Sequence, residues 1–418
     1  MFFLNRLFIN KITWRDFLFF MMLAPLVFDF RSNEGSIFVI LLGLISLISG
    51  ILYILYKRNF NAKILLVISI FWIFIITSCL VGVVRGQELY SILAQIMPLV
   101  LFSNAALIYS DYFDINNSRS INIVLFLSVI SAIWKLIFSI FYYGLDVENM
   151  RYQILSGSII LLYSYGIASF LISKKPFGAF VLLLSLGIVF ASVTRSFILV
   201  FIVSTFIPIF FLNSSKYIIS TLFRFSVVSL ISVLLLSFIL PDFTERWISR
   251  LIGLGEEKSG DITSLTRLAE IEGQIHYLKN DIWGLFFGFG IAAPTEWMGE
   301  GLATLITLLG PNFNTIGYSY GHNIYVGIIY VGGLLFGIPL ISLLLLLPLL
   351  FYIKAKKYQK LMSVNEKFFL FFTFFSILGF SVYGLLGGTF GDRSMSIYYG
   401  IVFGLMLKFI FINFNKYK

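Results

Sequence analysis

The chain has 418 residues, of which 59% are hydrophobic and only 12% are charged. A soluble domain is usually about 45–50% apolar and about 25% charged, so this composition excludes a soluble globule and predicts a membrane protein. The single cysteine, Cys79, excludes an intrachain disulfide and a thiolate metal cluster, and a count of only two histidines excludes a His-rich metal site.

Apolar runs long enough to cross a hydrocarbon core of about 30 Å recur along the chain. They predict spans at 16–30, 36–56, 64–84, 89–110, 121–143, 154–173, 177–193, 196–212, 218–240, 322–350, 368–387 and 396–414. The predicted fold is an all-α polytopic membrane protein with about twelve transmembrane helices. Residues 1–240 carry helices one to nine, residues 241–321 form one large extracytoplasmic loop, and residues 322–418 carry helices ten to twelve.

Loop charges predict the orientation of these spans. Lysines dominate the loops on one face, and the largest group comprises Lys354, Lys356, Lys357, Lys360 and Lys367. The short loops on the other face carry only Arg31, Arg85, Arg151, Arg195 and Arg393. This is the positive-inside pattern, which places both termini in the cytoplasm. It also explains the net charge of +10 without a nucleic-acid partner.

Residues 177–212 could form one long helix or a hairpin of two spans. Only the stretch around Ser192–Ser196 interrupts their apolar run. One long helix would place the Lys354–Lys360 cluster outside, whereas a hairpin lets every later loop obey the charge rule. The sequence therefore favours the hairpin, with Arg195 at its outer tip.

The cations of the predicted outer face differ in type from those inside. By this topology the outer face has two lysines, Lys258 and Lys279, and eight arginines: Arg31, Arg85, Arg151, Arg195, Arg246, Arg250, Arg267 and Arg393. Orientation needs only positive charge, whereas the planar fork of Arg binds phosphate or carboxylate through two bonds. The set therefore points to a bound anion. The alternative for any one of them is that it anchors a helix end or pairs with a loop acid.

Two residues associated with the large loop are candidates for chemistry. Arg267 lies in the sequence Leu265–Glu270, which has the pattern of a helix start and would place Arg267 near the electropositive end. His322 closes the loop and opens the next span, where it could accept a proton from a hydroxyl or merely cap the helix. His276 is expected to be structural.

The order of these motifs resembles the O-antigen polymerase and O-antigen ligase superfamily. The residues that carry the resemblance span roughly 150–400: the Thr-Arg-Ser turn at 194–196, Ser-Leu-Thr-Arg-Leu-Ala at 264–269, Phe-Gly-Phe-Gly at 287–290, Gly-His-Asn at 321–323 and Val-Gly-Gly-Leu-Leu-Phe-Gly at 331–337. The resemblance implies a metal-independent, inverting membrane glycosyltransferase that uses an undecaprenyl-pyrophosphate-linked glycan. It implies no cofactor, and it implies a bacterial inner-membrane location with the active site on the periplasmic side.

Within this family pattern, Arg195, Arg267 and His322 match the functional positions. Arg151 and Arg393 also match family arginines, and we group Arg250 with them as residues that bind the pyrophosphate or glycan. Developing pyrophosphate charge would be stabilised by the arginine forks, while His322 would assist the acceptor hydroxyl. Proteins of this kind can work with a flippase and a chain-length regulator.

Four functions remain open at this point. The favoured one is a polymerase, which would join glycan repeat units of O-antigen or capsule, with the acceptor sugar on a second lipid-linked unit. A ligase would transfer the finished chain to lipid A-core, and a protein O-glycosylation ligase is a third variant. A flippase or transporter would move the lipid-linked glycan, but transporters place their polar groups near the bilayer midplane, and here the informative residues lie at the outer boundary.

Overall fold

The computed structural model describes residues 13–29, 37–115, 119–144, 153–173, 176–192, 194–212, 259–309, 316–317 and 320–417, with isolated residues between 226 and 238. The helices in chain order are α1 Trp14–Val27, α2 Ile37–Lys57, α3 Ala62–Val84, α4 Leu89–Tyr112, α5 Arg119–Tyr143, α6 Gly157–Ala168, α7 Pro176–Ala191, α8 Arg195–Leu212, α9 Ser259–Asn280, α10 Ile282–Phe287, α11 Gly299–Leu309, α12 Ile324–Gly332, α13 Ile338–Tyr358, α14 Val364–Leu386 and α15 Arg393–Phe411. Two short strands, β1 Thr295–Glu296 and β2 Ile316–Gly317, pair antiparallel.

The helical membrane fold predicted from composition is confirmed. Seven helical segments within the described residues are long and apolar enough to cross a membrane: the one from Ile40 to Lys57 in α2, then α3, α4, α5, the combined α12–α13 segment, α14 and α15 with its following turn. The apolar helices α6, α7 and α8 are shorter. The predicted span 218–240 lies almost wholly outside the described residues.

Helix packing defines two opposite ends of the bundle. Helices α4 and α15 run parallel, because Phe102 contacts Tyr399 (centroids 5.1 Å apart) and, further along both helices, Gly404 lies against the backbone of Ala106. The starts of α4 and α15 therefore share one end. The start of α12 lies there too, since Gly388, just before α15, packs against Gly321, just before α12. We call this the histidine end after His322. The opposite end, which we call the lysine end, contains Lys57, Lys354 and Lys408.

Ion pairs join several helices at the lysine end. Asp111, at the end of α4, accepts a hydrogen bond from Arg15 Nη2 at 2.5 Å through Oδ2. Its other oxygen, Oδ1, lies 3.2 Å from Lys57 Nζ. Arg119 Nη1, at the start of α5, lies 3.2 Å from Asp16 Oδ2 on α1. These pairs hold the ends of α1, α2, α4 and α5 together. Their cations, Arg15, Lys57 and Arg119, belong to the loops that the sequence predicts to be cytoplasmic.

Residues 177–212 form two separate helices of opposite direction, α7 and α8, and not the one long helix that was the alternative. Helix α6 runs antiparallel to α7, because Gly166 packs against Leu182 while Ser169, just after α6, packs against the earlier residue Gly178. Helices α6 and α8 are parallel to each other, because both run antiparallel to α14: Ile160 and then Tyr165 contact Gly379 and Phe372, and Phe197 and then Ser204 contact Tyr383 and Gly379. Helix α7 ends at Ala191 and α8 begins at Arg195.

The predicted span 322–350 is not one continuous helix. Helix α12 ends at Gly332, Gly333 has φ +63°, and a π-helical turn at Gly333–Gly337 precedes α13. A Cβ on Gly333 would lie 2.4 Å from the backbone of Phe286, so the break makes room for the loop segment that packs there. Sequence hydropathy could not show this break because apolar residues continue across it.

Candidate functional site

Helix α9 supplies the framework of the candidate site. It crosses α11 closely, since a Cβ on Gly301 would lie 2.7 Å from the backbone nitrogen of Ala269. Glu272 Oε2 accepts the backbone N–H of Gly301 at 3.2 Å, which places a carboxylate at the electropositive start of α11. Several contacts along α9 therefore fix its position relative to the rest of the loop.

The central interaction joins Glu270 of α9 to His322, two residues before α12. Glu270 Oε2 accepts the backbone N–H of His322 at 2.8 Å and lies 2.9 Å from its Nδ1. The Glu270 side chain is only 4% exposed, whereas the His322 side chain is 50% exposed. A carboxylate can only accept hydrogen bonds, so Nδ1 donates to it and Nε2 is the imidazole nitrogen left to take a proton.

Two glycines create the space for the Glu270 carboxylate. A Cβ on Gly321 would lie 2.7 Å from the carboxyl carbon, and a Cβ on Gly317 would lie 2.8 Å from Oε1. Gly321 also has φ +55°, a conformation that costs an L-residue with a Cβ about 1–2 kcal/mol. The Gly-His sequence is thus explained locally: Gly321 allows the turn that brings His322 back onto α9.

Arg267 lies one turn before Glu270 on the same helix. Residues three apart share a helix face, so the guanidinium-bearing side chain and the carboxylate belong to one side of α9. The prediction that Arg267 is near the helix start is wrong, because α9 begins at Ser259, more than two turns earlier. Capping preferences suggested a start within 264–270, but the helical conformation extends further toward the N-terminus.

Arg195 lies at the same end of the bundle as His322. From the start of α8, Phe197 contacts Tyr383 near the end of α14, with ring centroids 5.1 Å apart. The chain after α14 then reaches the His322 loop, since a Cβ on Gly388 would lie 2.6 Å from the carbonyl oxygen of Gly321. Arg195 is exposed, and as the first residue of α8 it is placed where the helix dipole disfavours a cation.

Two other arginines of this end form ion pairs. Arg393 donates to Asp29 through Nε at 3.1 Å and Nη2 at 3.0 Å, which ties the start of α15 to the end of α1. Arg85 Nη2 lies 2.8 Å from Asp281 Oδ2 and its guanidinium lies over the ring of Phe289 at 4.4 Å. Both arrangements match the alternative in which an arginine anchors helix ends.

The remaining sequence candidates divide into two groups. His276 Nε2 lies 2.8 Å from Asn280 Nδ2, one turn along α9. Arg151 and Arg250 lie outside the described residues. Glu270 is the residue that sequence reasoning missed; its spacing of three from Arg267 on a helical pattern was a signal, but nothing in the sequence linked it to His322.

Comparison with known proteins found no family model that matches the chain and no curated protein with significant similarity to it. Across the part of the chain that the structure describes, no group of three or more His, Cys, Asp or Glu side chains is arranged to hold a metal ion. The site is therefore interpreted from its own residues.

Proposed function

We propose that the chain is a membrane glycosyltransferase that polymerises O-antigen or capsular repeat units carried on undecaprenyl pyrophosphate. The observation that carries the proposal is the Glu270–His322 pair, with Arg267 one turn away on the same helix. A histidine oriented through Nδ1 by a buried carboxylate is the arrangement that general-base catalysis uses in hydrolytic triads.

The proposed reaction transfers the glycan with inversion at its anomeric carbon. The acceptor hydroxyl attacks that carbon from the face opposite the pyrophosphate, a new glycosidic C–O bond forms and the C–O bond to pyrophosphate breaks. Nε2 of His322 takes the hydroxyl proton, and undecaprenyl pyrophosphate leaves. Glu270 stabilises the imidazolium that forms, because its carboxylate accepts from Nδ1.

The leaving pyrophosphate needs positive charge and hydrogen-bond donors. Arg267 and Arg195 supply forks that suit phosphate oxygens, and the start of α8 adds backbone N–H groups that favour an anion. An anion there would also offset the unfavourable placement of Arg195 at the electropositive end. Arg393 is held by Asp29, so we assign it first to helix anchoring and only indirectly to substrate binding.

The proposed topology has about twelve spans, cytoplasmic termini and the 241–321 loop on the periplasmic side of a bacterial inner membrane. The separation of charge along the bundle supports it. Lys57, Lys354 and Lys408 lie at the lysine end, opposite His322 and Arg195. Positive-inside orientation then places the candidate site outside the cytoplasm.

An assay with purified protein and undecaprenyl-pyrophosphate repeat units tests the function. A ladder of lengthening products is expected from the wild-type protein and its loss from His322→Ala. Transfer only to added lipid A-core would show that the protein is a ligase and not a polymerase. Movement of the lipid-linked glycan across vesicles without any new glycosidic bond would reject the enzyme and favour a transporter.

A further inference from the structure

Residues 282–294 enter the bundle as a hairpin between α3 and α12. The backbone N–H groups of Phe289 and Gly290 donate to the carbonyls of Tyr330 and Val331 at 2.8 and 3.0 Å. The N–H of Ile291 donates to the carbonyl of Ser78 at 3.0 Å. A non-helical loop segment is thus bonded to two helices that belong to candidate membrane spans.

The depth of these bonds follows from helix geometry. Ser78 lies six residues before the end of α3, and Val331 lies seven residues after the start of α12. At about 1.5 Å per residue, the bonded segment lies roughly 9–10 Å inside the ends of both helices. Asp281, which bonds to Arg85 just after α3, marks the level at which the hairpin enters.

Glycines permit this close packing. A Cβ on Gly288 would lie 2.2 Å from the carbonyl oxygen of Val331, and one on Gly290 would lie 2.3 Å from the backbone nitrogen of Gly82. Both glycines have φ +82°. Because α12 ends at Gly332, the last-turn carbonyls of Tyr330 and Val331 are available to the hairpin, so the N–H groups of Phe289 and Gly290 are bonded within the protein, as a lipid environment would require.

Helix α10, the descending limb of the hairpin, exposes large apolar side chains. Ile282 is 68% exposed and Trp283 69%, and Phe286 and Phe287 are also exposed. The backbone of Phe286 packs against Gly333, next to the exposed side chain of Leu335 in the π turn. The apolar face of α10 therefore continues the apolar outer surface of the α12–α13 span.

We propose that residues 282–294 form a re-entrant hairpin whose helix α10 lies in the hydrocarbon of the leaflet at the histidine end. Lipid acyl chains are the occupant that fits, since the face adjoins a surface of a candidate span and has no charged residue between Ile282 and Phe287. The hairpin holds the end of α9 at the membrane surface, and so sets the height of Glu270 above the lipid. This inference goes beyond the proposed function and does not depend on it.

Depth-dependent labelling tests the hairpin without any activity measurement. In a Cys79→Ser background, single cysteines at Trp283 and Ile282 carry a nitroxide spin label in phosphatidylcholine nanodiscs. Leu335→Cys is the lipid-facing control. Lys360→Cys, an exposed charged position just after α13 at the lysine end, is the water-facing control. Oxygen, and not a water-soluble nickel complex, is expected to enhance the spin relaxation of the labels at 283 and 282. The label at 335 is expected to behave in the same way.

Two results would overturn the proposal. Labels at 283 and 282 that respond to nickel like the label at 360 would place α10 in water. Labels shielded from both reagents, together with a cysteine cross-link between chains, would show a second copy of the protein on this face. Two neighbouring positions are used so that a folding defect in one variant does not decide the outcome.

Discussion

Glu270 and His322, which are 52 residues apart in sequence, are joined by two hydrogen bonds to a single carboxylate oxygen. One bond fixes the backbone of His322 and the other fixes its ring. A side chain held in this way loses little further freedom when it binds a substrate, which is what a preorganised catalytic group requires.

Replacing Glu270 by Gln tests whether the carboxylate orients and supports His322. The amide keeps a similar shape but loses the charge, so kcat is expected to fall between about 10- and 10⁴-fold, the range seen for carboxylates that orient a histidine. KM for the donor should change little, because the change affects mainly the transition state. Glu272→Gln is the matched control on α9; an equal fall in kcat there would indicate a general effect on the loop.

Replacing His322 by Ala is expected to lower glycan transfer by about 10²–10⁴-fold, the usual contribution of a general base, while donor binding stays near that of the wild type. His322→Gln can hold the acceptor but cannot take its proton, so it should not restore the rate. His276→Ala is the control and should remain active, since His276 contacts Asn280 on its own helix. A fully active His322→Gln would remove His322 as the base.

Substitutions at Arg195 and Arg267 test whether their guanidinium groups bind the leaving pyrophosphate through two hydrogen bonds each. Each Ala variant is expected to lose about 10²–10³-fold in kcat, the effect of removing one donor to developing charge. Each Lys variant should recover only part of this loss, because Lys lacks the two-bond geometry. Arg58→Ala, an exposed position at the lysine end, is the control. Wild-type rates in both Lys variants would show that charge alone is sufficient.

Topology is tested with a matched pair of Lys→Cys variants in the Cys79→Ser background. Lys279 on α9 and Lys360 after α13 are both exposed and lie at opposite ends of the bundle. A membrane-impermeant maleimide added to spheroplasts should label the cysteine at 279 and leave the one at 360 unlabelled until the cells are opened. The reverse pattern would contradict both the orientation and an extracytoplasmic site.

The Arg85–Asp281 pair predicts a pH-dependent junction between α9 and α10. The backbone N–H of Gly284 and the Arg85 guanidinium hold the pKa of the Asp281 carboxyl below its usual value. A lowered pKa stabilises the fold above the ordinary carboxyl pKa, and this stabilisation is lost as the pH falls through the lowered one. For so exposed a pair the ionic part is worth about 0.2–1 kcal/mol.

Thermal unfolding of the wild type and Asp281→Asn, compared at several pH values, measures this contribution. The wild type should have the higher Tm at neutral pH, and the difference should shrink in acid. An Arg85→Gln variant should remove only part of the same difference, because the backbone N–H of Gly284 still donates to the carboxylate. If the difference in Tm between the wild type and Asp281→Asn does not change with pH, the ionised carboxylate is not its source.

The sequence by itself determined the class of fold and the grouping of charges. Hydropathy located most of the described helices within a few residues, because a span must be apolar over its whole length to lie in lipid; the exception is 322–350, which forms α12 and α13 and extends to Tyr358. The charge rule also resolved 177–212 into two helices, since only that choice kept the later lysines together. Arg195, Arg267 and His322 were selected from sequence motifs, and the fold brings Arg195 and His322 to one end of the bundle.

Tertiary structure alone decided how these residues are held. The sequence does not identify Glu270 as the partner of His322, because a contact across 52 residues leaves no local pattern. The two residues meet because α9 packs beside the turn at Gly321. The sequence also did not predict the break at Gly333 or the hairpin of residues 282–294. Their stability comes from backbone bonds between segments and not from side-chain periodicity. Hydropathy reports which residues avoid water, whereas glycine contacts and long-range hydrogen bonds depend on which surfaces meet.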